Sequence, residues 1–312
     1  MKVAVLMGGK SAEHKISLIS GREVVKNLDP KKYDVLPIVV SKDGVNWRIG
    51  EGKKNFKFEI LNLKFDLAFI AMHGPYGEDG TIQGFLELLG ISYTGSGVLA
   101  SALGMNKIAS RRLFEQVGLT VPKYIVLNKK DDPKIIFRRL KLPVFVKPSN
   151  QGSSVGTSFV KNKKSLEKAL KLAWEYSAHA LVEEYLNGIE TTVGVLGNYN
   201  PQALPVVEIV PKTEFFDYKA KYNERLCDEI VPARIGKSLT KKAQQIAIKA
   251  YQTLGCWGFG RVDMIIKGQK IYVLEVNTIP GLTPVSLLPK AAQAAGIPYH
   301  RLLDRIIDFA TP

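Results

Sequence analysis

The chain has 312 residues, 46% of them hydrophobic, which is length enough for two or three cores rather than one. Its two cysteines, Cys227 and Cys256, lack CxxC spacing, so a disulfide framework and a zinc site are both unsupported and a reducing cytoplasm is expected. The net charge of +15 raises nucleic acid as a partner, but lysines such as Lys31, Lys32, Lys129, Lys130, Lys163 and Lys164 are scattered without the interleaved aromatics of a stacking platform, so none is expected.

In chain order, Met1 runs straight into VAVLM (3–7), a strand rather than a cleavable leader. A helix over 16–28, strands over 35–40 and 67–72, and a helix over 81–90 follow, the alternation of a parallel, doubly wound sheet. Ligands bind such sheets beyond the strand carboxyl ends, where GGKSAEH (8–14) and HGPYGEDG (73–80) fall. Helical periodicity over 96–119 leads to a strand over 121–127, a helix over 132–141, two strands joined by a Ser/Gly loop over 143–161, an amphipathic helix over 165–176 and a strand over 180–186. Strands over 190–197 and 203–210 precede an irregular polar stretch, 211–236, long enough to be a functional loop. A helix over 241–255, a hairpin over 260–277 and helices over 286–295 and 299–310 complete the chain, the last expected to pack on its own domain. No apolar run approaches the ~20 residues of a spanning helix, so no membrane is expected.

The hairpin carries the first chemical signal. A three- or five-residue loop centred on Gln269 sets Asp263 opposite Glu275 and Arg261 opposite Asn277, with Val262, Met264 and Ile266 against Tyr272, Leu274 and Val276 on the other face. A two-residue loop would shift the pairing by one and split the polar cluster. Two carboxylates and an amide oxygen on one face suit Mg²⁺, which takes one or two carboxylates and fills its shell with water and phosphate oxygens. The plainer alternative is a solvated strand end whose acids Arg261 neutralises.

Phosphate-binding parts accompany it. Lys147 ends the strand PVFVK, Lys107 lies in the helical GMNKIASRRL, and the loop SNQGSSVG (149–156) offers small residues and backbone N–H groups. The loop is not GxxxxGK[ST], and GGKSAEH is not GxGxxG, so neither a P-loop nor a dinucleotide site is supported.

With these pieces in order, the chain resembles the D-alanine–D-alanine ligase family of ATP-grasp enzymes. GGKSAEHKIS, HGPYGEDGTIQGFLE, SALGMNKIASR, FVKPSNQGSSVG, VEEYLNGIE, YKAKY, GFGRVD and LEVNTIPGLTPVSLLPKAA all match in sequence order. The resemblance implies a Rossmann-like N-terminal α/β unit over about 1–95 and two ATP-grasp lobes over about 96–186 and 187–312. It implies ligation of two D-alanines through an acyl phosphate, for peptidoglycan precursor synthesis, with ATP as co-substrate, two Mg²⁺ or Mn²⁺ ions, and a homodimer in the cytoplasm.

The resemblance also implies roles. Lys107 and Lys147 would meet the ATP α- and β-phosphates, with Ser154 on the loop above them. Glu183, Glu184 and Leu186 would line adenine, Tyr185 would pack near its ring, Glu190 would take the ribose, and Lys221 the γ-phosphate. Asp263, Glu275 and Asn277 would hold the metal ions. Glu13 would accept the first substrate's ammonium, with His73 near its carboxylate, and Glu13, Ser153 and Tyr222 would form a triad closing the loops. Ser286 and Leu287 would hold the second carboxylate, and Arg261 with the Gly281 N–H would stabilise the oxyanion.

Three departures from the family pattern stand out. Lys15 replaces an acid and is expected to face solvent, Asn106 replaces an aspartate before Lys107, and NERLCDEIV (223–231) lacks a usual glycine. The alternatives are a ligase using D-lactate or D-serine as second substrate, disfavoured by the Lys221-Tyr222 pair, and a non-catalytic ATP-binding regulator.

Overall fold

The computed structural model describes residues 1–50, 63–212 and 227–310. Elements are numbered in chain order. Strands β1 (Lys2–Gly8), β2 (Asp34–Val40), β3 (Trp47–Ile49), β4 (Leu67–Ile70) and β5 (Ser92–Tyr93) form one sheet in the order β3-β2-β1-β4-β5. β1–β2, β1–β4 and β4–β5 pair in parallel, as the alternation predicts, while the edge strand β3, which the sequence pattern does not announce, is antiparallel. β4 is buried at every position, because helices such as α1 (His14–Asn27) and α2 (Thr81–Leu88) cover the sheet.

The predicted helical stretch 96–119 is two helices, α3 (Val98–Met105) and α4 (Lys107–Gln116). They break at Asn106, whose backbone is extended and whose side chain caps α4 by accepting from the N–H groups of Ile108 and Ala109. The cap explains why an amide serves where an aspartate is usual, since only an acceptor oxygen is used.

A second, antiparallel sheet has the order β6-β9-β7-β8, from β6 (Tyr124–Asn128), β7 (Val144–Pro148), β8 (Ser158–Val160) and β9 (His179–Glu184). A short helix, α5 (Ile136–Arg139), and the longer α6 (Lys163–Tyr176) accompany it. α6 buries Leu166, Ala169, Leu170 and Ala173, a stripe at helical spacing, against this sheet.

The third sheet runs β13-β12-β10-β14-β15, with β11 on β10. Its strands are β10 (Ile189–Leu196), β11 (Gln202–Ala203), β12 (Val207–Pro211), β13 (Cys227–Ile230), β14 (Phe259–Lys267) and β15 (Lys270–Asn277). The predicted strand 203–210 is thus two, and part of the stretch read as irregular is β13, paired with β12. α7 (Lys237–Thr253) packs on this sheet, and α8 (Leu287–Ala294) and α9 (Tyr299–Ala310) follow.

Helix α9 corrects an expectation. Its stripe of Leu302, Leu303, Ile306 and Ile307 joins the core of the first sheet, with Val3, Leu6 and Val24, rather than staying within its own domain. Asp304 anchors it there, accepting from Lys32 at 2.7 Å and from the Tyr33 hydroxyl at 3.0 Å.

The hairpin has both a confirmed register and a corrected loop. Arg261 pairs with Asn277 and Asp263 with Glu275, so the polar residues share a face. The loop nonetheless has two residues, Gly268 and Gln269, because Lys267 pairs with Lys270. A bulge reconciles the two: Met264 pairs with Val273, which leaves Leu274 as the extra residue. The core face is therefore Val262, Met264, Ile266, Ile271, Val273 and Val276, while Tyr272 and Leu274 leave it.

Candidate active site

Two clefts meet on the polar face of this hairpin. One, of about 440 Å³, is lined by Lys147 and Ser154 on one side, by Glu183, Glu184, Tyr185 and Leu186 along and beyond the end of β9, and by Ile265 and Leu274 below. The other, of about 810 Å³, is lined by Glu13, His73, Arg261, Asn277, Gly281, Ser286 and Leu287. Lys107, Ser153, Glu190, Asp263 and Glu275 line both. The bulge thus lends the first cleft an apolar floor residue, Leu274, beside a carboxylate.

The first cleft is built of paired charges. Lys107, at the start of α4, reaches Glu275 at 3.0 Å and donates to the Gln151 carbonyl at 2.8 Å. Lys147, at the end of β7, pairs with Glu183. Burial pushes the Glu183 carboxyl up, but Lys147 and then Arg111 outweigh it and hold it below the usual carboxylate range. Tyr185 joins an aromatic group with Phe159 at 5.1 Å and Phe145 at 6.0 Å between ring centres, and Phe145 and Tyr185 both line the cleft. The Glu184 carboxylate turns away, accepting from the Lys123 N–H at 2.8 Å.

At the junction, Arg261 donates to Asp263 through Nε and Nη2, both at 2.8 Å. Burial opposes the charge on Arg261, yet the adjacent Asp263 raises its pKa. Thr192, on the neighbouring strand β10, donates to the same carboxylate at 2.6 Å. The Asn277 side-chain oxygen accepts from the Ile279 N–H at 3.2 Å, turning the chain toward Gly281. A Cβ on Gly281 would lie 2.9 Å from the Ser286 hydroxyl oxygen, so glycine is what lets the two approach. Ser286 stands at the N-cap of α8 but does not cap it; its hydroxyl meets that of Thr283 at 2.8 Å.

In the second cleft, hydroxyls, carbonyls and glycines surround Glu13 and His73, together with the acid Glu78. Glu13 is buried and accepts from the Ser153 hydroxyl. Ser153 and Ser154 both take left-handed backbones, with φ of 47° and 58°, a strained turn that folds the loop back onto Glu13. Gly74 and Gly152 make room, since a Cβ would fall 2.6 Å and 2.9 Å from a Glu13 oxygen. His73 is held from all sides. Its Nδ1 faces the Ile279 carbonyl at 3.0 Å and Glu78 at 3.2 Å, and its Nε2 faces the Ser20 hydroxyl at 2.8 Å. A carbonyl can only accept, so Nδ1 carries the proton. Burial pushes the imidazole pKa down, but Glu78 and Glu13 outweigh it and raise it.

The comparisons with known proteins agree. A family model described as the D-ala D-ala ligase C-terminus matches residues 113–308, and its N-terminus counterpart matches residues 2–60 and 48–96. A D-alanine–D-alanine ligase from Syntrophobacter fumaroxidans is 48% identical, covering 99% of this chain and 97% of that protein. This chain belongs to the D-alanine–D-alanine ligase family. It is thereby an ATP-dependent ligase by class, with the ATP-grasp architecture. The VanG D-Ala:D-Ser ligase from Enterococcus faecalis superposes with a TM-score of 0.87 at 35% identity, with 99% of both chains covered. The D-alanine–D-alanine ligase from Bacillus anthracis complexed with ATP gives 0.83 at 34%, covering 99% of this chain and 97% of that one.

Among the expected ligase residues, Lys221 and Tyr222 lie outside the described residues. Every other one lines one or both clefts. Four residues that sequence reading did not single out also matter: Arg111 and Thr192 as partners of Glu183 and Asp263, and Ser20 and Glu78 as partners of His73. Glu78 sits inside the quoted HGPYGEDG, but nothing in that string tells which acid turns inward. Lys15 is exposed, as expected. Cys256 is a buried thiol pushed up to about 12 by burial, the inert small hydrophobe its position suggests.

Proposed function

We propose that the chain joins two D-alanine molecules into D-alanyl-D-alanine at the expense of ATP, for peptidoglycan precursor synthesis. The observation that carries this reading is the meeting of the two clefts on a shared face with Lys107, Asp263 and Glu275. A phosphate chain lying in the first cleft would then present its terminal phosphorus to a carboxylate lying in the second.

In this reading Lys107 and Lys147 leave their carboxylate partners for the α- and β-phosphates, Ser154 covers them, and Lys221 takes the γ-phosphate. Glu183, Glu184 and Leu186 hold adenine, with Tyr185 near its ring and Glu190 on the ribose. Asp263, Glu275 and Asn277 offer hard oxygen donors on one face, which fits Mg²⁺ or Mn²⁺. Two such ions would offset the repulsion between the carboxylate and the triphosphate.

Glu13 takes the ammonium of the first D-alanine and His73 orients its carboxylate. The carboxylate attacks the γ-phosphorus, the bond to ADP breaks, and an acyl phosphate forms. The amine of the second D-alanine, held through Ser286 and Leu287, attacks the acyl carbon. Arg261 and the Gly281 N–H stabilise the oxygen that becomes negative, and phosphate leaves. Glu13, Ser153 and Tyr222 close the loops and keep water from the acyl phosphate. The reading also comprises three units, 1–95, 96–186 and 187–312, and a cytoplasmic homodimer; the two buried thiols agree with a reducing compartment.

The likeness to a D-Ala:D-Ser ligase makes the second substrate the point to test. Incubation with ATP, Mg²⁺ and a mixture of D-alanine, D-lactate and D-serine, with products identified by mass, should give D-alanyl-D-alanine. A depsipeptide or D-alanyl-D-serine as main product would overturn the choice of second substrate. Absence of D-alanine-dependent phosphate release would leave the non-catalytic reading.

A further inference from the structure

Arg111 is among the largest side chains fully buried in the molecule, and no step of the proposed reaction uses it. It lies one helical turn beyond Lys107 on α4 and meets the first cleft through Glu183, which lines it. Its Nη2 donates to Glu183 Oε2 at 2.7 Å, while Lys147 occupies Oε1 of the same carboxylate. Among the described residues its buried Nε and Nη1 have no hydrogen-bond partner.

For folding alone this is a poor arrangement. A buried guanidinium with unmet donors pays a desolvation cost that an apolar side chain of similar volume would not. Nor is the charge needed to balance Glu183 at rest, because Lys147 already does so. The two cations differ in their second duty. Lys147 is the one proposed to turn toward phosphate, and one amine cannot serve both partners. Once it turns, Arg111 is the counter-ion left on Glu183.

We propose that Arg111 is the positioning residue for purine selection: it keeps the Glu183 carboxylate ionised and fixed as an acceptor for the exocyclic amine of adenine. An ionised carboxylate only accepts hydrogen bonds, so it welcomes a 6-amino purine and repels a 6-keto purine, which presents an oxygen. Without Arg111, burial favours the protonated carboxyl, which can donate to that oxygen, and the discrimination closes. This rests on the reading of Glu183 as an adenine contact.

The test is calorimetric binding of ATP and of ITP, each with Mg²⁺ and without D-alanine, beside thermal unfolding. The parent protein should prefer ATP. Arg111→Met should fold with little change in unfolding temperature and narrow the ATP-over-ITP preference by about 10-fold or more. Arg111→Lys should restore most of it. Equal weakening of both nucleotides in Arg111→Met, an unchanged ratio, or a parent protein indifferent to the two would overturn the inference. If Arg111→Met fails to fold, Arg111→Gln carries the same comparison. Glu183→Gln separates the layers. If it leaves the ratio intact, the adenine reading of Glu183 falls; if it alone collapses the ratio, only the role of Arg111 falls.

Discussion

The two clefts surround their ligand-facing charges differently. At the nucleotide end the cations already hold carboxylates, Lys107 with Glu275 and Lys147 and Arg111 with Glu183, and at the junction Arg261 holds Asp263. At the amino-acid end the acid Glu13 is met by a hydroxyl from Ser153 and framed by glycines, and His73 by Ser20, a carbonyl and Glu78. A highly charged ligand enters a site whose cations already hold carboxylates and exchanges partners with them. A zwitterion enters a site where hydroxyls, a carbonyl and glycines frame Glu13 and His73, and where the ion pair Lys290–Glu229 also lines the cleft. Prepaired charge keeps the resting site from leaving buried ions uncompensated, which would be far costlier than the pairs themselves.

The comparison breaks most readily at the junction. Arg261→Met should lower kcat by about 10²–10³-fold, the scale of losing an oxyanion donor, while ATP affinity measured by calorimetry stays near that of the parent. An equal loss in ATP affinity would place Arg261 with the nucleotide instead. Next, Lys107→Met should raise the KM for ATP by about 10- to 100-fold, the scale of a charged hydrogen bond. Combined with Glu275→Gln in a double-mutant cycle on unfolding free energy, it should show a coupling of roughly 0.5–3 kcal/mol. No coupling would mean that the resting pair is incidental.

At the other end, Ser20→Ala removes the partner of His73 Nε2. We expect a loss of about 1 kcal/mol in stability and a rise of about fivefold in the KM for D-alanine, with the KM for ATP unmoved. The smallest effect should come from a pair that no proposed ligand uses. Burial pushes the Asp304 carboxyl up, but Lys32, Tyr33 and Arg301 outweigh it and hold its pKa below the ordinary value. The stability it gives is thus present above about pH 3.9 and lost as pH falls through its lower folded value. Asp304→Asn should cost about 1 kcal/mol at pH 7 by denaturant unfolding, and the gap to the parent should shrink below about pH 4. A constant gap across that range would show that the cost is one of shape rather than charge.

How much of this was readable in advance depends on where the information lies along the chain. The polar face of the hairpin was readable because alternation sorts Arg261, Asp263, Glu275 and Asn277 from Val262, Met264 and Val276 within eighteen residues or so. The two-residue loop was not, because a single inserted residue restores the register without leaving any turn signal. Arg111 and Glu183 are 72 positions apart, and nothing local marks a helical arginine as buried. The stripe on α9 predicted an apolar face but not its destination, since periodicity says that a face must be covered and never by which core. Asn106 fits helix and cap equally well as a letter, and its acceptor role shows only once the backbone turns.

The bulge at Leu274 has a consequence for how such a site could be altered by descent or by design. Take that residue out, and Val273 still points to the core while the glutamate after it still points to the cleft. Neither the hydrophobic interior nor the carboxylate pair would register the deletion; only the nucleotide cleft would lose part of its floor. One codon, inserted in a strand end, is therefore enough to add a ligand contact without renegotiating the fold beneath it.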